Sequence, residues 1–255
     1  MKLIFAILLF SILGVTMTGC HRDVVVVPML VDVNSALKLS GDNRGELQKV
    51  LDYYREEKPD SMKLKAAEYL ISNMVAHYAV AGETMDRLKR DIDTTLRDQP
   101  DAVKLMFYLM AARVAIAQGG NTVEYDLHKI TSDYLIRNIE QSFVIWENIK
   151  NHYDLSCEDF FKYILPYRIN NEPLIEWKDS AYYYLYNFDK GDQLGFSLGG
   201  YQGYISAKVP TYYNYEKFKE QFSDSLLRKY KSDCIDRAYS TQIINRIFGI
   251  PTAVD

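Results

Sequence analysis

The chain has 255 residues, of which 48% are hydrophobic and 25% are charged, and its formal net charge is −4. A chain of this length and composition can build one or two domains with buried cores, which excludes a disordered protein. The negative net charge supplies no basic field, so we expect no nucleic-acid partner.

The N-terminus has the pattern of a targeting segment. Lys2 precedes an apolar run from Leu3 to Val15, which has about the length of a signal-peptide core and is short for a bilayer-spanning helix. Small residues then precede Cys20 in a pattern that resembles the lipobox of bacterial lipoproteins. This resemblance implies removal of residues 1–19, a lipid on Cys20 and a tether over 20–31. It predicts a periplasmic or surface-facing protein of the bacterial cell envelope, anchored to the outer membrane. A plain secretory signal and a membrane-anchoring helix are the alternatives.

Helical patterning follows, and we expect a helical domain over residues 32–186. In the helix predicted over 46–56, apolar residues at helical spacing form one face: Leu47, Val50, Leu51 and Tyr54. The next helix opens at residues 59–61, and its region continues to Gly82. Further helices are predicted over 84–97, from Pro100 to Gly119, over 131–149, after a cap at Ser156, and over 174–186.

The helix that starts at Pro100 is strongly apolar, and we expect Leu105, Leu109, Ala112 and Ile116 on its buried face. Residues 187–213 are rich in glycine and tyrosine, which favours a loop or a hairpin. A helix returns over 214–230, and the last helix is predicted over 233–248.

Cys234 lies in the first turn of this last helix, which stops at Gly249 and Pro251. A thiol at a helix N-terminus loses its proton more readily than an ordinary cysteine, which suits a nucleophile. The same residue could be a small buried hydrophobe. It could also pair with Cys157 in an oxidising compartment, which would silence the nucleophile.

Four stretches occur in order along the chain: residues 36–47 with 65–74, residues 130–140, residues 160–168 with 171–174 and Trp177, and the segment from Cys234 through Ala238 and Arg246 to Gly249, Ile250 and Pro251. Together they resemble bacterial lipoproteins with a transglutaminase-like domain, which belong to the papain-like Cys-His-Asp superfamily. The resemblance covers most of residues 36–255.

The resemblance implies acyl transfer or amide hydrolysis on protein or peptide substrates, without a cofactor or a metal. It makes Cys234 the catalytic nucleophile and its backbone N–H an oxyanion donor. The implied fold is mainly α, with the helical domain followed by the first, cysteine-bearing part of a papain-like α+β core over residues 214–255.

The family's histidine and aspartate follow the cysteine on a sheet. Here every histidine precedes Cys234: His21, His77, His128 and His152. We therefore expect a chain that stops before the sheet and is inactive. Without the sheet, the apolar residues of the last helix must find cover in the helical domain or remain exposed: Ile235, Ala238, Ile243 and Ile247.

Two other expectations come from the residues themselves. His77 lies in an apolar pattern and is expected to be a hydrogen-bonded core histidine rather than a metal ligand. The alternative function is a non-catalytic cell-surface binding module, in which the helical domain and residues 187–213 recognise protein or glycan. The sequence predicts no oligomeric state.

Overall fold

A computed structural model of the protein describes residues 29–57, 62–153, 155–179, 218–247 and 249–253. Within these ranges the protein is mainly helical, which confirms this part of the fold prediction. The predicted signal peptide, Cys20 and residues 187–213 lie outside the described residues.

The helices are α1 (Val33–Leu39), α2 (Arg44–Glu57), α3 (Met62–Asn73), α4 (Glu83–Thr95), α5 (Asp101–Gln118), α6 (Ser132–Tyr153), α7 (Cys157–Asp159), α8 (Ser225–Lys229) and α9 (Cys234–Ile247). A π-helical segment, Phe160–Ile164, follows α7 directly. Of the helix predicted over 174–186, residues 177–179 are helical and the rest lies outside the described ranges. Across the described part of the chain, none of the helices combines the length and the apolar character that crossing a bilayer requires.

One hydrophobic cluster joins α1, α2, α3 and α6. All four residues of the predicted α2 face are fully buried in it: Leu47, Val50, Leu51 and Tyr54. Burial of side chains this large stabilises the fold by roughly 1.5–3 kcal/mol each. The hydroxyl of Tyr54 stays bonded, because it donates to the Glu140 carboxylate of α6 at 3.0 Å. The helical spacing of apolar residues therefore predicted this face correctly.

A second hydrophobic cluster surrounds α5. The Phe107 ring of α5 lies 5.8 Å from the Phe218 ring and 5.2 Å from the Phe222 ring, measured between centroids. The helix begins after Pro100 and ends at Gly119, as predicted. The prediction for Ile116 was wrong, since this side chain is 52% exposed. It lies in the last turn of α5, and most residues of that turn face solvent.

The structure corrects the predicted course of the chain before Gly82. The helical region does not continue to that glycine, because α3 ends earlier and strand β1 (Tyr78–Ala81) follows. β1 pairs antiparallel with β2 (Thr122–Tyr125), which comes after α5. Four-residue strands carry too little alternation to be read from the sequence.

The helix predicted over 214–230 is interrupted. Within its described part, a turn precedes α8, which begins only at Ser225. The Asp91 carboxylate of α4 accepts hydrogen bonds from the backbone N–H groups of Ser223 at 3.0 Å and Asp224 at 2.8 Å. Asp224 in turn caps α8 by accepting from the Leu226 N–H at 2.8 Å. A continuous helix is excluded because these N–H groups are bonded to carboxylates instead of helical carbonyls.

Ser156 caps α7 as predicted. Its hydroxyl oxygen accepts a hydrogen bond from the Asp159 N–H at 3.1 Å, and the Asp159 carboxylate accepts one from the Ser156 N–H at 3.0 Å. This reciprocal pair is a capping box, which satisfies donors that the first helical turn leaves unpaired.

α9 ends in a Schellman motif at Gly249. The Gly249 N–H donates to the Arg246 carbonyl at 3.1 Å, and the Ile250 N–H donates to the Asn245 carbonyl at 2.8 Å. Gly249 has a φ of 69°, which glycine adopts at little cost. A Cβ at this position would overlap Cδ1 of Ile149 in α6. The glycine therefore both ends α9 and allows its close approach to α6.

We expect Gly249→Ala to lower the free energy of unfolding by about 2–6 kcal/mol, because a strained φ and overpacking each cost about 1–3 kcal/mol. The matched control is Gly45→Ala in α2, where an added Cβ has nothing within 4 Å. This variant should be as stable as the original chain or up to about 1 kcal/mol more stable. Urea unfolding measures both, and equal stability of the two variants would contradict this account of Gly249.

Candidate functional site

Cys234 lies in the first turn of the last helix, as predicted, and is the first residue of α9; its thiol is free and exposed. A disulfide between Cys157 and Cys234 is therefore not formed. The alternative that Cys234 is a small buried hydrophobe is also wrong, because the residue faces solvent.

Asp233 is the N-cap residue that fixes this helix start. Its Oδ1 accepts hydrogen bonds from the backbone N–H groups of Ile235 at 2.9 Å and Asp236 at 3.1 Å. In return, the Asp236 carboxylate accepts a hydrogen bond from the Asp233 N–H at 2.9 Å. The geometry is that of a capping box. The N–H of Cys234, the expected oxyanion donor, makes no hydrogen bond within the described residues.

Arg113 of α5 holds both capping carboxylates. Its Nη2 lies 2.7 Å from Asp233 Oδ2, and its Nη1 lies 2.7 Å from Asp236 Oδ1. Its hydrogen bond to Asp233 holds the pKa of that carboxyl well below its usual range. The Tyr230 hydroxyl donates to Asp236 Oδ2 at 3.0 Å, and burial raises the pKa of this hydroxyl. The first turn of α9, which carries Cys234, is therefore held by the cap at Asp233, by the ion pairs of Arg113 and by the hydrogen bond of Tyr230.

The apolar face of α9 finds cover in the helical core. Ile243 and Ile247 are buried in the cluster around α5, as is Ile244 between them. Ile235, next to Cys234, is 42% exposed. The surface around the thiol is thus open, while the far half of the helix is packed.

Neither of the two histidines whose side chains are described contacts Cys234. The Nδ1 of His77 lies 3.2 Å from the Tyr167 hydroxyl, and the Nδ1 of His128 lies 3.1 Å from the Ser40 carbonyl oxygen. His77 is thus a hydrogen-bonded, half-buried histidine. Within the described ranges, no group of three or more His, Cys, Asp or Glu side chains is arranged to hold a metal ion.

A buried ionic cluster lies at the end of the β1–β2 strand pair where Tyr78 faces Tyr125. Arg168 donates from Nε and Nη2 to the two carboxylate oxygens of Asp126, and both side chains are buried. The Tyr167 hydroxyl donates to Asp126 Oδ2 at 3.0 Å, and burial raises the pKa of Tyr167 well above its ordinary value. The backbone N–H of Asp126 donates to the His77 carbonyl at 3.0 Å. The cluster ties the β1–β2 strand pair to the loop that follows the π-helical segment.

The same cluster extends to α9. Arg168 donates from Nη1 to the Glu172 carbonyl, and Arg246 donates from its own Nη1 to the Arg168 carbonyl. The Glu172 carboxylate accepts hydrogen bonds from the backbone N–H groups of Ile169 at 3.0 Å and Asn170 at 2.8 Å. Sequence reasoning did not find this cluster. Arg168, Glu172 and Arg246 lie in stretches that carry the family resemblance, but no pattern in the sequence indicates that they or Asp126 are buried.

Lys178 is another buried cation, besides Arg168 and Arg246. Its Nζ lies 2.8 Å from Ser142 Oγ, 2.8 Å from the Ile164 carbonyl oxygen and 3.0 Å from the Leu165 carbonyl oxygen. Burial lowers the pKa of Lys178 well below its ordinary value. With three acceptors around the amine, its role is to bond the end of the π-helical segment.

Comparisons of the chain with protein-family models, with curated proteins and with solved structures found no match. The transglutaminase-like resemblance is therefore carried by the sequence stretches alone.

We expect His77 to make the protein less stable in mild acid. Burial lowers the pKa of His77 below its ordinary value, so the unfolded chain takes up a proton that the folded chain does not. The free energy of unfolding should therefore fall as the pH drops below about 6.5, by at most about 1.4 kcal/mol per pH unit, until His77 also titrates in the folded state.

Urea unfolding at a series of pH values between neutral and mildly acidic measures this fall. The His77→Gln variant should lose this part of the pH dependence, whereas His128→Gln, at an exposed position, should retain it. The same pH dependence in wild type and His77→Gln would refute the assignment.

Proposed function

We propose that this chain is a transglutaminase-like protein in which Cys234 is the nucleophile of thiol-based acyl transfer or amide hydrolysis. The observation that carries the proposal is the free, exposed thiol at the first residue of a capped helix. Partial positive charge at a helix N-terminus stabilises a thiolate, and an exposed thiol is open to a carbonyl substrate. The substrate class is a protein or a peptide, and the anchor is a lipid on Cys20.

In the proposed reaction, the Cys234 sulfur attacks an amide carbonyl carbon, and a carbon–sulfur bond forms as the carbon–nitrogen bond breaks. The nitrogen leaves as an amine that takes up a proton, and the resulting thioester is cleaved by a second amine or by water. His77 and His128 are hydrogen-bonded elsewhere, so neither is assigned as the base. The proposal therefore concerns the reactivity of the thiol and the helix that presents it, and it keeps the expectation that these residues alone do not turn over a substrate.

The second candidate is a non-catalytic cell-surface binding module for protein or glycan. One observation favours it: neither described histidine side chain contacts Cys234. In this case the thiol would behave as an ordinary exposed cysteine. The reactivity of Cys234 therefore separates the two candidates.

We expect iodoacetamide to alkylate Cys234 faster in the folded chain than in the same chain unfolded in urea, because the helix start stabilises the attacking thiolate. Arg113→Ala should slow the reaction, since it leaves the negative charges of Asp233 and Asp236 beside the thiol without their cation. Peptide mass spectrometry at successive times gives the rate at each cysteine separately.

The matched control is Arg137→Ala, which breaks an exposed ion pair with Glu176 on a different part of the surface and should leave the rate at Cys234 unchanged. Cys234→Ser identifies the labelled peptide by its loss. If the folded chain reacts no faster than the unfolded chain, Cys234 is not an activated nucleophile and the binding module becomes the better proposal.

A further inference from the structure

A cleft of about 330 Å³ lies beside the buried ionic cluster. Three segments form its wall: the turn that enters β1, the loop after the π-helical segment, and the C-terminal half of α9. The wall includes Ala76, His77, Arg168, Asn170, Asn171 and Arg246. A volume near 300 Å³ is at the lower end of the range for small-molecule sites, and it suits a ligand of the size of an amino acid or a dipeptide.

The two arginines of the cleft wall are both buried, but their donors are used differently. Each donates from Nη1 to a backbone carbonyl, Arg168 to Glu172 and Arg246 to Arg168. Arg168 places its Nε and Nη2, the side-on edge of the guanidinium, on the two oxygens of Asp126. The Nε of Arg246 is buried and has no hydrogen-bond partner among the described residues. The edge that holds a carboxylate in one arginine is thus unpartnered in the other.

No carboxylate of the described residues lies within ion-pair distance of Arg246. The negative charge of Glu172 acts on Arg246, but the Glu172 carboxylate already accepts two backbone N–H bonds. Burial lowers the pKa of Arg246 to about 10, so the guanidinium remains charged at neutral pH. A buried cation that lacks an ion-pair partner in the described part of the chain favours the entry of an oxyanion.

We propose that this cleft binds a carboxylate-bearing ligand, whose carboxylate pairs side-on with Nε and Nη2 of Arg246. A guanidinium edge and a carboxylate match in a planar, two-bond geometry, which also selects carboxylates over neutral amides. Asn170 and Asn171 line the cleft and offer neutral hydrogen-bonding groups to the rest of the ligand. His77 lies on the turn into β1, in a different segment of the wall from α9.

The site is separate from the proposed nucleophile. Cys234 and Arg246 lie on the same helix, about 18 Å apart along its axis at 1.5 Å per residue. Ligand binding at Arg246 therefore does not depend on thiol chemistry, and the two proposals can fail independently.

The test uses N-acetylglycine and its neutral amide, N-acetylglycinamide, as a matched pair of probes in calorimetric titration with the whole chain. We expect N-acetylglycine to bind at least about tenfold more tightly than the amide, and to raise the midpoint of thermal unfolding. Equal affinity of the two probes, or no binding of either, would overturn the proposal.

Two variants and two controls locate the site. Arg246→Lys keeps the charge but loses the side-on edge, and it should weaken N-acetylglycine binding about tenfold. Ala76→Trp changes an exposed residue of the cleft rim and should block binding without touching Arg246, which keeps the test valid if Arg246→Lys does not fold. Cys234→Ser and Arg137→Lys should bind as wild type does. Wild-type affinity in Ala76→Trp would place any bound carboxylate elsewhere and refute the site.

One further pair of probes, a tripeptide and its C-terminal amide, tests whether the bound carboxylate belongs to a peptide end or to a small organic acid. A tripeptide that binds more tightly with a free C-terminus than as its C-terminal amide, and more tightly than N-acetylglycine, assigns the site to a peptide end. Equal affinity of the tripeptide and N-acetylglycine assigns it to small organic acids.

Discussion

The buried ion pair between Asp126 and Arg168 is the interaction on which the arrangement of the described residues depends. Leaving one member of a buried pair without its partner costs about 3–5 kcal/mol, a large share of the roughly 5–15 kcal/mol that typically stabilises a domain. Asp126 follows β2 and its backbone N–H donates to the carbonyl just before β1, so it holds one end of the strand pair together. Arg168 lies in the loop after the π-helical segment, and its carbonyl receives Arg246 of α9. The salt bridge and the hydrogen bonds around it thus hold three segments together: the β1–β2 strand pair, the loop after the π-helical segment, and α9.

α9 is the element that this arrangement positions most closely. Its first turn is fixed by Arg113, which holds the capping carboxylates of Asp233 and Asp236. Its last turn is fixed by Arg246 and by the glycine that lets the chain approach α6. The helix therefore presents a thiol at one end and an arginine edge at the other. The geometry assigns different chemistry to the two ends of α9. The proposal for Cys234 and the proposal for Arg246 rest on separate observations.

Much of the fold could be predicted because local rules decide it. The apolar face of α2, the cap at Ser156, and both ends of α9 follow from spacing, capping residues and glycine. The strand pair could not be predicted, because its two short strands are separated by α4 and α5 and pair only in the folded chain. The burial of these charges could not be predicted for a related reason. An arginine or an aspartate looks the same in the sequence whether its partner is water or a residue far along the chain. Of the site, Cys234 and its helix start were foreseen, while the cleft wall around Arg246 was not. The Gly249 part of the family resemblance also has a structural role, since this glycine ends α9 and allows its close approach to α6.

The antiparallel pairing of Ala81 with Thr122 brings together the two ends of the segment that contains α4 and α5. A segment whose entry and exit adjoin is an insertion in the topological sense, so it can be lengthened, shortened or exchanged during evolution without displacing the chain on either side. α5 is less free to change than α4, however, because α5 also packs against α9 and α8 in the hydrophobic cluster. Divergent relatives of this protein would therefore vary first in the outward face of α4, and would keep the side of α5 that supports the helix bearing Cys234.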